Sequence, residues 1–467
     1  MKKLISIILA LTMTCAIFTS CSNTAANNNN EAAVGAPPDG KPGDPPDGQP
    51  GEPPDGKPGG SSADINYSGG AEINAADTQD GQTYDSTTAD QSALLISTDA
   101  AVTINNPTVT KSGDSDGGDN CNFYGLNAAV LVKDGSSTTI SGGTISSSAS
   151  GANGVFCYGG NGGKNGAAGD GTTVTISETT ITTTGDGSGG IMTTGGGVTN
   201  AKNLNITTSG RSSAAIRTDR GGGTVNVDGG SYTSNGLGSP AIYSTAEIHA
   251  NNATLTSNLS EGVCIEGLNS IELTDCSLTA NNTKCNGNAT FLDTIMIYQS
   301  MSGDADSGTS SFTMTRGTLT SKSGHVFHVT NTNAVITLSS VNIVNEDSNN
   351  VLLSVCDDGW SSGSNTAALN ASAQTLKGAV LVGDNSTLAL NLTNGSSYEG
   401  YIDGKITNAS GTTVSTDVGN VSVTLDSGST WTLTGDSYIT SFSGDASNII
   451  SNGYTLYVSG TELTGTK

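Results

Sequence analysis

The sequence is poor in basic side chains: 17 Lys and Arg stand against 42 Asp and Glu, a formal net charge of −25. No basic face is left to neutralise phosphates, which excludes nucleic acid as a partner. The acidic excess favours solubility, and calcium is the one ion it would suit. Nothing in the sequence fixes a coordination sphere, so no metal site and no cofactor are expected. Aromatics make up 4% and hydrophobic residues 34% of 467 residues. A globule of that length would be short of core, whereas a one-dimensional stack needs only a few apolar residues per turn. Beyond the N-terminus there is no long apolar run and no helical periodicity. Their place is taken by 64 glycines and abundant Thr, Ser and Asn, so that strand formers alternate with turn formers.

Nucleophile elbows, P-loops and dinucleotide fingerprints are also missing. The glycine runs Gly195 to Gly197 and Gly221 to Gly223 lack the Lys or helix that phosphate binding needs. Beyond Cys15 and Cys21, six cysteines remain: Cys121, Cys157, Cys264, Cys276, Cys285 and Cys356. They match no zinc spacing and are too sparse for a disulfide framework. Either Cys264 meets Cys276 or Cys285, or all are buried thiols. His325 and His328 lie three apart, which in a regular strand puts them on opposite faces, against a two-His metal site.

Residues 1–20 read as a signal peptide: Met1-Lys2-Lys3, then an apolar run from Leu4 to Phe18. The run closes in Phe18-Thr-Ser20-Cys21, which resembles the bacterial lipobox and implies lipidation of Cys21. Residues 21–62 follow as a tether. Within them, 36–59 are three copies of an eight-residue unit such as Asp44-Pro-Pro-Asp-Gly-Gln-Pro-Gly51. Proline at this density donates no ladder hydrogen bonds and favours polyproline II, so a disordered, extended stalk is expected.

The rest of the chain repeats. Apolar residues recur at a position, two later and seven later: Val102, Ile104 and Val109; Ile248, Ala250 and Leu255; Ile271, Leu273 and Leu278. Val225, Ile248 and Ile271 are 23 residues apart in turn. A step of two keeps side chains on one strand face, and a step of seven crosses a tight bend to a second inward strand. A third short strand comes from Ala215-Ile216, Ala241-Ile242 and Cys264-Ile265. Three strands per coil predict an all-β fold, a right-handed parallel β-helix (solenoid), over residues 63–360. Residues 61–90 read as a lead-in or cap. Residues 111–125, 157–172 and 281–310 read as loops thrown out between coils. Residues 361–467 read as a continuation with longer coils, similar to autotransporter passenger domains, with a separate β-sandwich as the alternative. About 14 to 16 coils would make a rod on the order of 70 Å.

On such a helix, inward Ile216, Ile242 and Ile265 would turn Arg217, Tyr243 and Glu266 outward on adjacent coils. Asp219 and Arg220 sit at the next corner. A surface row of cation, aromatic and carboxylate has the parts that sugar recognition needs. These five are the candidate ligand-binding residues; internal salt bridges among them are the competing reading.

The string Arg211-Ser-Ser-Ala-Ala-Ile-Arg-Thr-Asp-Arg-Gly-Gly-Gly223 and the closing Ser429-Thr-Trp-Thr-Leu-Thr-Gly-Asp-Ser-Tyr438 resemble adhesin-like, lipid-anchored surface proteins of anaerobic Gram-positive bacteria, within the pectin-lyase-like superfamily. The resemblance implies a fold and a place, at the cell surface, with membrane contact through the lipid anchor only. It brings no activity. The polygalacturonase pattern is broken at Gly324-His325-Val326. A non-catalytic adhesin that binds polysaccharide or a host matrix surface is therefore expected. The alternatives are a lyase or hydrolase on acidic glycans, with Arg217 or Arg220 as base and Asp219 and Glu266 holding calcium, and a structural spacer.

Overall fold

The repeating spacing becomes a bent pair of strands. Val102 and Ile104 point inward from strand Ala101–Asn105, the chain turns at Asn106 with φ 48°, and Val109 points inward from Thr108–Lys111. Equivalent corners stand at Gly142, Asn252 and Asp275, with φ of 69°, 54° and 53°. Glycine, Asn and Asp reach this left-handed region at the lowest cost, which is why they recur at the bend. At the next residue of the second corner space decides as well: a Cβ on Gly143 would lie 2.2 Å from the Pro107 carbonyl oxygen.

The computed structural model describes residues 65–162, 168–360 and 365–467, all within Pro38–Lys467, one of the two units into which the chain divides. The signal segment, Cys21 and the proline-rich repeats lie outside the described residues.

Among the described residues, each of the first ten coils gives one strand to each of three parallel sheets, the architecture of a parallel β-helix. The first sheet has 13 strands, from Gly69–Ile73 to Ile402–Asp403; the second has 14, from Asp77–Asp80 to Ser441–Ser443; the third has 10, from Thr83–Ser86 to Asn342–Asn345. Val225, Ile248, Ile271 and Phe312 form one inward ladder, paired strand to strand. All four are fully buried. The strands of the second sheet span about 60 Å at the usual strand spacing. The expected lead-in is itself part of the stack: Gly69–Ile73, Asp77–Asp80 and Thr83–Ser86 form the first coil, in register with the second.

The second sheet continues through Asn365–Ser372, Ser386–Thr393 and Asn420–Leu425. The third sheet stops at Asn342–Asn345, and a four-stranded sheet starts one coil later at Thr375–Lys377. Between them the Gln374 amide bonds both backbone groups of Val341, at 2.8 and 2.7 Å, in place of a strand rung.

Among the described residues, the long insertions leave the coil before or after strands of the first sheet. Segments 112–129 and 281–292 precede first-sheet strands; 159–172 and 299–308 follow them. Strands Val155–Tyr158, Val263–Glu266 and Asp293–Tyr298 of this sheet are consequently buried on both faces.

Candidate functional site

The outer face of the first sheet carries one continuous row of side chains. It runs Met192, Arg217, Tyr243, Cys264, Met296, His328 and Ser354, each paired with the next coil. Arg217 and Tyr243 share this row as expected. Glu266 does not: Cys264 is the rung beside Tyr243, and Glu266 stands two residues along, opposite Tyr298. The offset arises because strand Ile242–Ser244 pairs its Ile242 with Val263, not with Ile265.

The row is not a surface. Arg217 is 1% exposed, and Asp219, Tyr243 and Glu266 are 0% exposed. The short helix Asp119–Tyr124 and segment 299–308 close over them and add Asn122, Ser300 and Ser302 to their polar contacts, while Arg217 Nε is left without a hydrogen bond. Arg217 pairs with Asp219 at 2.5 Å, reaches Asn122 Oδ1 at 3.4 Å and stands 5.5 Å over the Tyr243 ring. Arg220, half-buried, pairs with Asp304 from segment 299–308 and lies 4.1 Å over the Phe123 ring. Of the five candidates only Arg220 touches solvent. A sequence pattern gives the side of the strand a residue faces; it does not show that an aperiodic insertion folds back on it.

Glu266 is the hub. Its Oε2 accepts from Tyr243 Oη at 2.5 Å and Tyr298 Oη at 3.2 Å, and its Oε1 accepts from the Ser300 hydroxyl. Burial pushes its carboxyl up to about 8, against the lowering effect of the Ser300 and Tyr243 hydrogen bonds. The group is therefore largely neutral at pH 7 and a poor calcium ligand. Burial also raises the Asp219 carboxyl, against the pull of Arg217. The roles a lyase would assign to these residues are taken by internal pairing. Among the described residues no group of three or more His, Cys, Asp or Glu is arranged to hold a metal.

A second buried group lies further along the same row. Nδ1 of both His325 and His328 stands 2.7 Å from Ser354 Oγ. His328 Nε2 is 3.3 Å from Asp358, and Phe291 stacks on the His328 ring at 4.7 Å. The expected opposite faces are overturned. Val326 and Phe327 both join the inner core, so alternation breaks and His325 returns to the outer side with His328. Burial first, and His328 second, drive His325 down to about 3, so it is neutral. Ser354, His328 and Asp358 are each 0% or 1% exposed. Their geometry tightens the outer layer, out of reach of a substrate. Sequence spacing gave no sign of Ser354 or Asp358; only the strand register brings them together.

Five of the six cysteines are buried, and Cys285 is partly exposed.

An open concavity lies beside the covered face, where first-sheet strands turn into the second; another of similar size lies at the end of the third sheet, between Asn342 and Lys377. The first is a trough of about 470 Å³. Its floor is small: Gly196, Gly222, Gly223 and Ala246. One wall is the outward polar ladder Thr224, Glu247, Ser270 and Ser311, in register on consecutive coils. The other rim carries Leu268, 52% exposed. Gly169 and Thr309 close the ends, from the flanks of two insertions. The trough crosses five coils, about 19 Å at the usual spacing. A Cβ at Gly223 would lie 2.8 Å from the Gly197 oxygen, so the floor stays open by construction.

No family model matches the chain, and no curated protein matches it significantly.

Proposed function

We propose that the protein is a lipid-anchored cell-surface β-helix of the adhesin-like kind, which binds polysaccharide without catalysis. The observation that supports this best is the trough. It is open, elongated and walled by hydroxyls and one carboxylate at strand spacing, with an exposed Leu268 on the rim. A linear glycan presents hydroxyls along its edges and C–H groups on its faces, and the trough offers partners for both. Glu247 and the acidic chain around it favour an uncharged or basic glycan over an acidic one. Of the charged residues that a lyase or hydrolase would use, Arg217, Asp219 and Glu266 are sealed beneath insertions and held by internal contacts, and the half-buried Arg220 is paired with Asp304, which supports binding over turnover.

The lipid anchor rests on the Ser20-Cys21 boundary. Labelling cells with a radioactive fatty acid tests it: Cys21 carries label and Cys21→Ser loses both label and membrane association. A glycan array tests the binding. Retention of neutral glycans is the expected result; no retention of any glycan or matrix protein would leave only a spacer.

A further inference from the structure

The third sheet presents a second surface, distant in the coil from the trough. Its strands alternate outward and inward residues, and two outward ranks run along ten strands: from Thr83 to Asn342, and from Asp85 to Val344. Every rung of both ranks is Thr, Ser or Asn, apart from Asp85 in the first strand and Val344 in the last. Strand Thr180–Thr183, for example, shows Thr180 and Thr182 to solvent and buries Ile181. Among the described residues the long insertions leave beside first-sheet strands, and both ranks of the third sheet's outer face are exposed or half-buried along its length.

Three properties define what this face fits. It is a lattice, with rungs about 4.8 Å apart along the stack and ranks about 6.6 Å apart along each strand. It is stiff, because threonine is restricted at χ1 and the inner strands of the sheet are hydrogen-bonded on both sides. It is nearly free of charge in a chain of net charge −25, with Asp85 at one end. A charged partner would find no complement here, and an anionic one would be repelled by the rest of the chain. An uncharged, flat and periodic partner finds a hydroxyl at most rungs, and a methyl beside it wherever the rung is Thr.

We propose that the third sheet docks on the face of an uncharged crystalline polysaccharide, whose pyranose rings alternate hydroxyl edges with C–H faces. The inference rests on the glycan-binding reading for the chemistry of the partner, but it uses a separate surface. Each rung contributes little; many rungs in register add by multivalency, so a solid is favoured over short soluble oligosaccharides.

The test is depletion of the full-length mature protein from solution by microcrystalline cellulose, at low and high salt. Wild type should bind at both, since no ion pair is involved. Thr182→Lys, Thr207→Lys and Thr256→Lys together should weaken adsorption by about tenfold or more. Thr→Val at the same three positions keeps the β-branched shape and removes only hydroxyls; it should fold and also bind less. Ser270→Trp, which fills the trough, should leave adsorption to the solid intact while abolishing binding of soluble glycans, so the two surfaces fail separately. Equal adsorption by wild type and both triple variants overturns the proposal. So does adsorption that vanishes in salt, or a wild-type dimer in solution that the lysine variant dissociates, which would assign the face to a second copy of the chain. Binding to ice crystals with none to cellulose would overturn the choice of partner.

Discussion

Tyr243 and Glu266 stand 23 residues and one coil apart on neighbouring strands, but on different rungs, and the Tyr243 phenol reaches across to donate to Glu266 Oε2 at 2.5 Å. That contact ties the outer face of the sheet to segment 299–308, whose Ser300 donates to the other carboxylate oxygen. A row that the repeat alone would assign to a ligand is instead the glue beneath an insertion.

The raised Glu266 carboxyl makes stability fall with pH. Its folded-state value, about 8, lies above the ordinary 4.5. The folded chain therefore holds a proton that the unfolded chain has released, and the stabilisation is complete below the ordinary value and lost as pH rises through the folded one. Asp219, also raised, acts in the same direction at lower pH. Urea unfolding across this window should show the mature protein weakening as pH rises. Glu266→Gln, which keeps an acceptor and cannot ionise, should flatten that slope; an unchanged slope would remove Glu266 as its source.

Breaking the buried pair costs more than deleting it. Arg217→Met leaves the Asp219 carboxylate unpaired where neither side chain is more than 1% exposed. A loss of about 3–5 kcal/mol is expected. Arg217→Met with Asp219→Asn should recover much of it. A double-mutant cycle by denaturant melts measures the coupling; additive losses would mean that the two residues do not act as a pair.

Damage to the inner ladder should stay local. Ile248→Ala removes buried methyls between Val225 and Ile271 and should cost about 2–5 kcal/mol. Because coils contact only their neighbours, hydrogen exchange should speed up in adjacent coils and hardly change near Leu390. Uniform acceleration along the chain would point to one cooperative unit.

Thiol reactivity should follow exposure. In the native protein an alkylating reagent should modify Cys285 first, since the other five thiols are buried. Burial also raises Cys121 to about 11 and Cys157 to about 12, which leaves them mostly protonated at neutral pH. Mass mapping of a partial alkylation reads the order.

The inner half of the fold was legible because it is periodic. The steps of two and seven name inward residues such as Ile104 and Val109, and the bend between them is marked in most coils by Asn, Asp or Gly, with Glu178, Arg316, Ser340 and Ala373 as exceptions. Arg217 and Tyr243, which follow the inward Ile216 and Ile242, do lie on the outer side of the first sheet, on one row. What covers them was not legible: segments 281–292 and 299–308 have no period, and Asp304 lies 84 residues from the Arg220 it pairs with. The trough was missed for a related reason. Its floor is glycine and its wall is Ser, Thr and Glu247, residues that read as ordinary turn and surface composition until the register lines them up. The His325 and His328 expectation failed at one irregular point, where two successive residues turn inward.

The central claim is that ligand binding belongs to the open trough and that the buried charged row is structural. Titration of a neutral glycan selected from the array, against wild type, Ser270→Trp and Glu266→Gln at pH 6, tests it most directly. Ser270→Trp should lose binding with unchanged melting, and Glu266→Gln should bind as wild type does. Loss of binding in Glu266→Gln with full binding in Ser270→Trp would contradict the account and return the site to the row beneath segment 299–308.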